Sequence, residues 1–448
     1  MSAIRDHEPA LTAKALTRAM ARLRDAGPAL RSVPLGDRVA VIDAVAGQWL
    51  ARDSTWRRLA MAEIPRATGL PEEVLSLALD NLWNALRRPA LEAALRDEWP
   101  AAPLHAPTTY GSDPLDAGTS PGLAFHSLAG NVPGVGVFGM VAALLTGVPS
   151  LVKTAAREPL LPVLAAQSIA ERDARLGAGV AVLHWRGGDD QELGRIAISG
   201  ADLTLAYGGD ETLAALDCRT PKHILGYGSR VSLGIVTREA VDVRTARIAA
   251  TQVALYDQRG CLSPQLLLLE ESAPSATEGF AEALFSELRL LDVRWPRAPL
   301  TLVESASVWR MLEEQRWRAQ EGHAIRILAG EENRFGVLCN RTGQPIASPL
   351  FRHLVVVPLR TLDEAASVLA PMRSFVEAVG FAGPLHRLDE ASVLARQCGA
   401  HRLCSLDRLQ APPFSWRQSG HPRLAIFLPP GSETRSPAML DPDLRGQS

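Results

Sequence analysis

Apolar positions in the first hundred residues recur at intervals of three and four, which is the pattern of amphipathic helices. Three stretches carry this pattern: LTAKALTRAMARLRDAG, DRVAVIDAVAGQWLAR and PEEVLSLALDNLWNALRRPALEAALRDEW. The sequence therefore predicts a helical N-terminal region, which we place at residues 1–105.

Short apolar runs alternate with helical stretches from Leu123 onward, from LAFHSLA to DLTLAYGG in a first block. A second alternating block begins near TARIAATQVALYDQRGCLSPQLLLLE. Alternating strands and helices predict an α/β protein with two Rossmann-type domains, each a parallel sheet covered by helices. Ligands of such sheets bind at the carboxyl ends of the strands, so functional residues are expected in the turns that follow strands.

We place these two domains at residues 106–237 and 238–415, followed by a C-terminal segment at 416–448. The segment contains one apolar run, PRLAIFL, which predicts a strand. The proline- and serine-rich tail after it is expected to be loose. The strand is a candidate for assembly of an oligomer.

Composition excludes several classes of partner. The 448 residues are 47% hydrophobic and 21% charged, with a formal net charge of −2 and no basic run. Such a chain has no positive field for nucleic acid or an anionic membrane surface. The stretch VPGVGVFGMVAALLTGVPSLV is broken by prolines and glycines, so it predicts a turn, a helix and a strand, and no membrane span.

The five cysteines are scattered and odd in number, which does not indicate a disulfide framework and favours a reducing cytoplasm. The N-terminus, MSAIRDHEPAL, lacks the apolar run of a secretory signal. Cys398, His401 and Cys404 are metal-ligand residue types without a second ligand pair, so no metal site is predicted.

One cysteine, Cys261, lies in YDQRGCLSPQ between a polar, glycine-containing turn and the apolar run LLLLE. A thiolate is a strong nucleophile, and it forms most readily in a partly exposed turn near positive dipoles. A single cysteine is more often a buried and inert side chain. The residues alone leave both interpretations open.

Three other positions follow predicted strands: Asn131 in HSLAGNVPGVG, Lys153 in PSLVKTAAREP, and the pair Gly208 and Gly209 in LAYGGDETLAAL. The Asn131 amide can donate to an oxyanion, or it can simply cap the next helix. Lys153 suits a ribose or phosphate, although a solvated loop lysine is the simpler interpretation. The glycines free backbone N–H groups for a pyrophosphate or nicotinamide but do not complete a G-x-G-x-x-G pattern.

The order and spacing of these positions resemble the aldehyde dehydrogenase superfamily. Its pattern runs from an Asn-x-Pro turn, through a strand-end Lys and a Gly-rich turn, to a Gln-x-x-Cys nucleophile, here Gln258 to Cys261. SPLFRHLVVVPLRTLDEA resembles its Glu-x-Phe-Gly-Pro segment, and PPFSWRQSGHP its Pro-Phe-Gly-Gly-x-x-x-Ser-Gly segment. The resemblance covers most of the chain after about residue 120.

Two departures from the superfamily pattern indicate which branch of the superfamily the sequence resembles. The Glu-Leu-Gly-Gly segment that carries the general base is matched by ILGYGSRVSLGIV, which has no carboxylate, and Ser348 and Pro349 replace the Glu before Phe-Gly-Pro. Loss of the base is expected where the acyl group is exchanged with a thiol cofactor and not with water. Ser263-Pro264-Gln265 and the stretch WRGGDDQELGRIAISGADLTLAYGGDE resemble the acyl-CoA reductase family, typified by the fatty-acid reductase component of bacterial bioluminescence.

This resemblance implies NADPH-dependent reduction of a fatty acyl-CoA or acyl-carrier thioester to an aldehyde. Cys261 would attack the thioester, Asn131 and the Cys261 backbone N–H would stabilise the oxyanion, and hydride would reduce the thioacyl-enzyme. The adenosine would lie near Lys153. Arg157 follows Ala156 where NAD-specific members carry a Glu, so NADPH is expected, with NADH as the alternative.

The superfamily further implies a homodimer or homotetramer assembled through the C-terminal strand. Two other functions stay open at this point. One is a degenerate dehydrogenase-like subunit that acts as an interaction partner in an acyl-transfer assembly. The other is thioester hydrolysis or acyl transfer without reduction.

Overall fold

The computed structural model describes residues 11–104, 120–130, 132–185, 191–210, 213, 223–344, 346–429 and 439–445. The chain forms two compact units. The first comprises residues 1–67, 78–228 and 421–435, and the second residues 68–77, 229–420 and 436–448. The chain passes from the first sheet to the second at Ser229, just before the strand at Val231–Val236. The functional domains proposed from the sequence stay predictions.

Five helices open the chain: α1 (Ala13–Ser32), α2 (Leu35–Leu50), α3 (Thr55–Thr68), α4 (Glu72–Asn84) and α5 (Arg88–Glu98). The helical N-terminal region is therefore confirmed. The third predicted stretch forms two helices, and the second of them starts with a proline in its first turn, where the missing N–H costs no helical bond. The helix α3 was not predicted; it accommodates Pro65 in its last turn.

The first unit contains a five-stranded parallel sheet in the order β3-β2-β1-β4-β5. Its strands are β1 (Ala124–Ser127), β2 (Ser150–Lys153), β3 (Val180–Leu183), β4 (Leu203–Tyr207) and β5 (His223–Tyr227). Its further helices are α6 (Val135–Thr146), α7 (Leu160–Arg172), α8 (Ala174–Ala178) and α9 (Gln191–Gly200). The strand order reverses between β1 and β4, which is the point at which Rossmann-type sheets bind ligands.

The stretch that could be mistaken for a membrane span forms the helix α6 and the strand β2, as predicted. Glycines in the left-handed conformation, Gly134 and Gly147, flank α6 and limit it to twelve residues. Throughout the described ranges, every helix is too short or too polar to cross a bilayer.

The second unit contains a seven-stranded sheet in the order β12-β11-β6-β7-β10-β9-β8. Its strands are β6 (Val231–Val236), β7 (Pro264–Glu270), β8 (Ile325–Ala329), β9 (Gly336–Asn340), β10 (His353–Leu359), β11 (Val376–Ala382) and β12 (Arg402–Ser405). Its helices are α10 (Val243–Ala254), α11 (Pro274–Arg294), α12 (Leu302–Gln320), α13 (Ala365–Leu369), α14 (Leu388–Gln397) and α15 (Pro442–Arg445).

The edge strand β8 pairs antiparallel to β9, in a sheet whose other neighbours are parallel. The connection between these two strands, residues 330–335, is too short for a crossover and forms a hairpin. The sequence predicted a parallel sheet, so this edge is an exception.

The run LLLLE lies in the middle of the second sheet, and its side chains alternate between two hydrophobic clusters. Leu266 and Leu268 pack on one face, and Leu267 and Leu269 on the other. An uninterrupted apolar run is typical of a parallel strand with both faces covered. This central strand, β7, begins directly after the Cys261 turn.

The predicted C-terminal strand is wrong. Residues 422–428 contain a short 3₁₀ turn in place of a strand. The buried Glu98 carboxylate accepts hydrogen bonds from the backbone N–H groups of Arg423, Leu424 and Ala425 at 2.9, 2.5 and 3.2 Å. These N–H groups are therefore not available to a sheet ladder, and the proposed route to an oligomer through this strand loses its basis.

Candidate active site

The positions expected to bind the cofactor lie along the carboxyl edge of the first sheet. Lys153 ends β2 and is in register with Ser127 of β1 and Leu183 of β3. Gly208 and Gly209 follow β4 directly. This edge of the sheet also includes the point where the strand order reverses.

Asn131 lies outside the described residues, so its role stays a prediction. Its neighbour Gly130 packs closely against the segment that follows β2, because an added Cβ at Gly130 would come within 2.9 Å of the Cβ atoms of Ala155 and Arg157. The turn after β1 and the segment that carries the exposed Arg157 are therefore in contact.

Lys153 is partly buried, and this burial lowers its pKa. Its Nζ lies 5.6 Å from the centroid of the Trp185 ring, a cation–π distance. Trp185 is buried and stacks on Phe125 of β1 with ring centroids 6.0 Å apart. The ammonium group is thus held at the sheet edge by packed aromatic side chains.

A dinucleotide fits the backbone of this edge. Gly134 has φ 89° before the first turn of α6, and no described side chain caps that turn, so its N–H groups are available to an anion. A Cβ added at Gly136 would lie 2.3 Å from Leu128, so glycine lets the helix approach β1 closely. A Cβ added at Gly209 would meet no described residue within 4 Å.

The nucleophile turn in the second unit connects α10 to β7. Tyr256, Asp257 and Gln258 have φ values of 55°, 52° and 60°, which are left-handed and uncommon for side chains of this size. Runs of such residues persist only where the surroundings hold them in place, and they concentrate at functional sites.

Gln258, the Gln of Gln-x-x-Cys, holds this turn against two strands. Its Nε2 donates to the carbonyl oxygens of Pro264 and His353 at 2.7 and 2.9 Å, and its Oε1 accepts from the His353 backbone N–H at 2.9 Å. The Ser232 hydroxyl donates to the Cys261 carbonyl oxygen at 2.7 Å. The Cys261 backbone is therefore fixed to β6, and the turn to β7 and β10.

A buried ion pair joins this turn to a second left-handed run. Leu350, Phe351 and Arg352 have φ values of 63°, 50° and 71°. The Arg352 guanidinium donates to the Asp257 carboxylate at 2.7 Å, and both side chains are at most 3% exposed. Arg352 also contacts Asp292 on α11 at 3.3 Å. Each strained turn thus supports the other.

Cys261 lies at the amino end of its strand, three residues before β7 begins. The expectation that functional turns follow the carboxyl ends of strands is wrong for the second sheet. The reason is local: the turn that carries the cysteine enters β7, and Pro264, which has no N–H to contribute, starts the strand.

Cys261 is partly buried and packs against one hydrophobic cluster of the second unit. Burial raises the pKa of the thiol to about 12, and the charge of Glu377 adds to this effect. The backbone N–H groups of Cys261 and Leu262 and the charge of Arg230 act in the opposite direction. A thiol with a raised pKa needs a proton acceptor if it is to react as a nucleophile.

Sequence reasoning missed three residues beside the nucleophile. Glu377 on β11 is fully buried and accepts hydrogen bonds from the Ser419 backbone N–H at 2.8 Å and from its hydroxyl at 3.3 Å. The Arg230 Nε lies 3.7 Å from the same carboxylate. The available signal was a single acid in the apolar run FVEAVGFAG.

The Ser-Pro-Gln motif fixes neighbouring loops. The Ser263 hydroxyl donates to the side-chain oxygen of Gln410 at 3.1 Å, and the Gln265 amide donates to the Arg230 carbonyl oxygen at 3.3 Å. Ser348, in the segment where a Glu was expected, donates to the His353 carbonyl oxygen at 2.5 Å. These side chains shape the site without offering a second carboxylate.

A comparison with known protein families shows to which family this chain belongs. The sequence profile of "Acyl-CoA reductase (LuxC)" matches residues 30–412, which is most of the chain. The chain belongs to this family. The resemblance inferred from Ser263-Pro264-Gln265 and the glycine-rich turn is therefore confirmed.

Curated relatives carry names that agree with the family. The long-chain acyl-protein thioester reductase of Aliivibrio fischeri is 27% identical over 246 residues, or 52% of this chain and 49% of the relative. That of Photorhabdus luminescens is 24% identical over 307 residues, or 62% of each. Long-chain acyl-protein thioester reductase 2 of Photobacterium leiognathi is 32% identical over 149 residues, or 32% and 31%. The chain thus spans less than two thirds of the length of these relatives.

Solved structures confirm the fold. The NADP-dependent glyceraldehyde-3-phosphate dehydrogenase of Bacillus halodurans, in complex with NADP, superposes with a TM-score of 0.69 at 14% identity, covering 95% of this chain and 91% of the other. Aldehyde dehydrogenase 21 of Physcomitrella patens gives a TM-score of 0.70 at 13% identity, with 94% and 90% covered. This LuxC-family chain therefore has the aldehyde dehydrogenase fold.

Proposed function

We propose that this chain reduces a long-chain acyl thioester to an aldehyde through a thioacyl intermediate on Cys261. The observation that carries the proposal is a cysteine fixed on a strained turn by Gln258 and by the Asp257–Arg352 pair, in a chain of the acyl-CoA reductase family. A turn held in this way keeps the sulfur in one position for attack.

The chemistry of the first step follows from the thiol. The Cys261 S–H bond breaks, its sulfur bonds to the thioester carbonyl carbon, and the carbonyl oxygen becomes an oxyanion. The Cys261 backbone N–H, together with the Asn131 amide, is proposed to donate to this oxyanion. The carbon–sulfur bond to the carrier then breaks, and the departing thiolate takes up a proton.

Reduction requires a nicotinamide cofactor, and we propose NADPH, with NADH as the alternative. Lys153, Arg157, Gly208 and Gly209 would hold it, Arg157 by pairing with a 2′-phosphate. When bound, the cofactor supplies the hydride that converts the thioacyl group to an aldehyde. The partly buried ammonium of Lys153 and the uncapped first turn of α6 support an anionic ligand at this edge.

The substrate is proposed to be an acyl-CoA or an acyl-carrier protein. Support comes from the names of the relatives, which are long-chain acyl-protein thioester reductases, and from that of the family, an acyl-CoA reductase. The absence of a carboxylate from ILGYGSRVSLGIV agrees with a thiol as the acyl donor or acceptor in place of water.

Incubation with a series of acyl-CoAs and either NADPH or NADH, followed by trapping of the aldehyde, tests this function. We expect NADPH oxidation and aldehyde in equal amounts, and loss of both in Cys261→Ser. The matched control is Cys398→Ser, since Cys398 is a buried free thiol directly after α14, and this variant should keep the activity. Acylation without any aldehyde would favour non-reducing acyl transfer, and the absence of both would favour an interaction subunit.

A further inference from the structure

A buried carboxylate lies on β11, which is separated by β6 from β7, the strand that follows the Cys261 turn. The adjacent parallel strands β11, β6 and β7 begin side by side, with Ala378 in register with Ser232, and Ser232 with Pro264. The Ser232 hydroxyl binds the Cys261 carbonyl oxygen at 2.7 Å. Glu377 precedes Ala378, and adjacent strands are about 4.8 Å apart, which places it near the turn.

The backbone is irregular where this carboxylate occurs. The pairing of β11 with β6 shifts register between Val376 and Ala378, so Glu377 occupies a β-bulge. Bulges change the direction of a side chain and are frequent next to active sites. An acid that is fully buried in the apolar strand FVEAVGFAG is costly for stability unless its charge is compensated.

Compensation of the Glu377 charge is partial. The Ser419 backbone N–H and hydroxyl donate to the carboxylate at 2.8 and 3.3 Å, and the Arg230 Nε lies 3.7 Å away, beyond hydrogen-bond distance. Arg230 instead donates to the Ser374 carbonyl oxygen at 2.7 Å and to the Ser419 hydroxyl at 3.2 Å. The carboxylate therefore keeps capacity to bind a proton.

The charges around Glu377 define when it can accept that proton. Burial raises its pKa, while the Ser419 N–H, Arg230 and, from β12, Arg402 lower it. The His401 backbone N–H donates to the Glu377 carbonyl oxygen at 3.0 Å, and the His401 ring lies beside Gly420. On the other side, the charge of Glu377 acts on the Cys261 thiol.

We propose that Glu377 is the general base and acid of acyl transfer, which takes the Cys261 proton as the sulfur attacks and returns it to the departing thiol. This inference rests on the proposed function. The S–H bond and the carrier C–S bond break, and the Cys261 S–C bond and the carrier S–H bond form. No electrons are exchanged in this half of the reaction, so no oxidant or reductant is required.

The variant Glu377→Gln gives two readouts of opposite sign, both without nucleotide. Release of CoA from dodecanoyl-CoA, coupled to acylation of Cys261, should fall by about a hundredfold or more, the usual contribution of a general base. Alkylation of Cys261 by iodoacetamide should become faster, since loss of the negative charge lowers the thiol pKa. The alkylation rate is expected to rise about threefold for each unit that the thiol pKa falls. The rise in thiolate fraction is larger, but a thiolate of lower pKa is a weaker nucleophile.

Matched variants separate this role from effects on folding. Glu270→Gln removes another buried carboxylate, at the opposite end of β7, and should leave both Cys261 rates near those of the wild type. Glu377→Asp keeps the acid and should recover part of the acyl-transfer rate. If acyl transfer and alkylation both become slower in Glu377→Gln, the role of Glu377 is structural. If both become faster, its role is electrostatic alone. Either result overturns the inference.

A wild-type protein that no thioester acylates contradicts the proposed function itself and removes the basis of this inference. A wild type that is acylated, with Glu377→Gln acylated at the same rate, contradicts only the assignment of Glu377. The two failures are therefore distinguishable in the same experiment.

Discussion

Cys261 combines a fixed position with a low tendency to ionise. Gln258 and Ser232 hold its backbone, while burial raises the thiol pKa to about 12. A permanently charged thiolate would react with many electrophiles, whereas a thiol reacts slowly unless its proton is removed. The geometry of this residue therefore favours control of the nucleophile by its surroundings.

The raised pKa predicts a steep pH dependence for the free thiol. Well below the pKa, the thiolate fraction rises tenfold per pH unit, so alkylation of Cys261 by iodoacetamide should rise about tenfold per unit between about pH 7 and 10. Mass spectrometry of the Cys261 peptide separates this signal from the other cysteines. A rate that levels off below about pH 9 would show an ordinary or activated thiol and contradict the assigned environment.

At this scale the sequence predicts Cys261 as the nucleophile, a role that stays a prediction, and offers no candidate for the proton acceptor that we propose. The motif Gln-x-x-Cys and its neighbours pointed to Cys261 through a family resemblance. Glu377 follows Cys261 by more than a hundred residues and becomes adjacent only because β11 and β6 pair in the sheet. This pairing of β11 with β6 cannot be predicted from a local sequence pattern. The one local signal is a single acidic residue in an apolar run.

At the scale of elements, the two left-handed turns at 256–258 and 350–352 form the support of the nucleophile. Their strain is balanced by the buried pair Asp257–Arg352 and by the hydrogen bonds of Gln258 to β7 and β10. The sequence predicted a turn before β7 but not this conformation, since residues other than glycine seldom adopt positive φ.

Removal of one partner of the buried pair should destabilise the second unit strongly. Arg352→Met leaves the Asp257 carboxylate buried without its cation, and we expect a loss of about 3–5 kcal/mol in the free energy of unfolding. Denaturant titration measures this loss. The control is Arg360→Met. The ion pair between Arg360 and Glu364 is largely exposed, so its loss should change the free energy of unfolding little. Equal stability of Arg352→Met and the wild type would mean that the pair does not support the turn.

At the scale of the whole molecule, strand and helix alternation predicted both sheets correctly as parallel, except for the antiparallel edge strand β8 of the second. The pattern works best for β7, whose leucine run is buried on both faces and is therefore apolar without interruption. It failed for residues 422–428, where Glu98, more than three hundred residues away in the chain, binds the backbone N–H groups. An apolar run indicates burial, and tertiary hydrogen bonds decide whether it forms a strand.

The residues proposed for the reaction are distributed over both units. Lys153, Gly208 and Gly209 belong to the first, and Cys261, Gln258 and Glu377 belong to the second. We expect the two halves of the proposed reaction to be separable in time, because the proposed attack of Cys261 on the thioester transfers no hydride, whereas reduction needs the cofactor.

A two-stage measurement by intact-protein mass spectrometry tests the central claim most directly. The protein is first incubated with an acyl-CoA in the absence of nucleotide, freed of excess thioester, and then mixed with NADPH. We predict an increase of one acyl mass located at Cys261, followed by its loss with release of one equivalent of aldehyde. An acyl group on another residue, or an acyl-Cys261 that NADPH does not convert to aldehyde, would contradict the account.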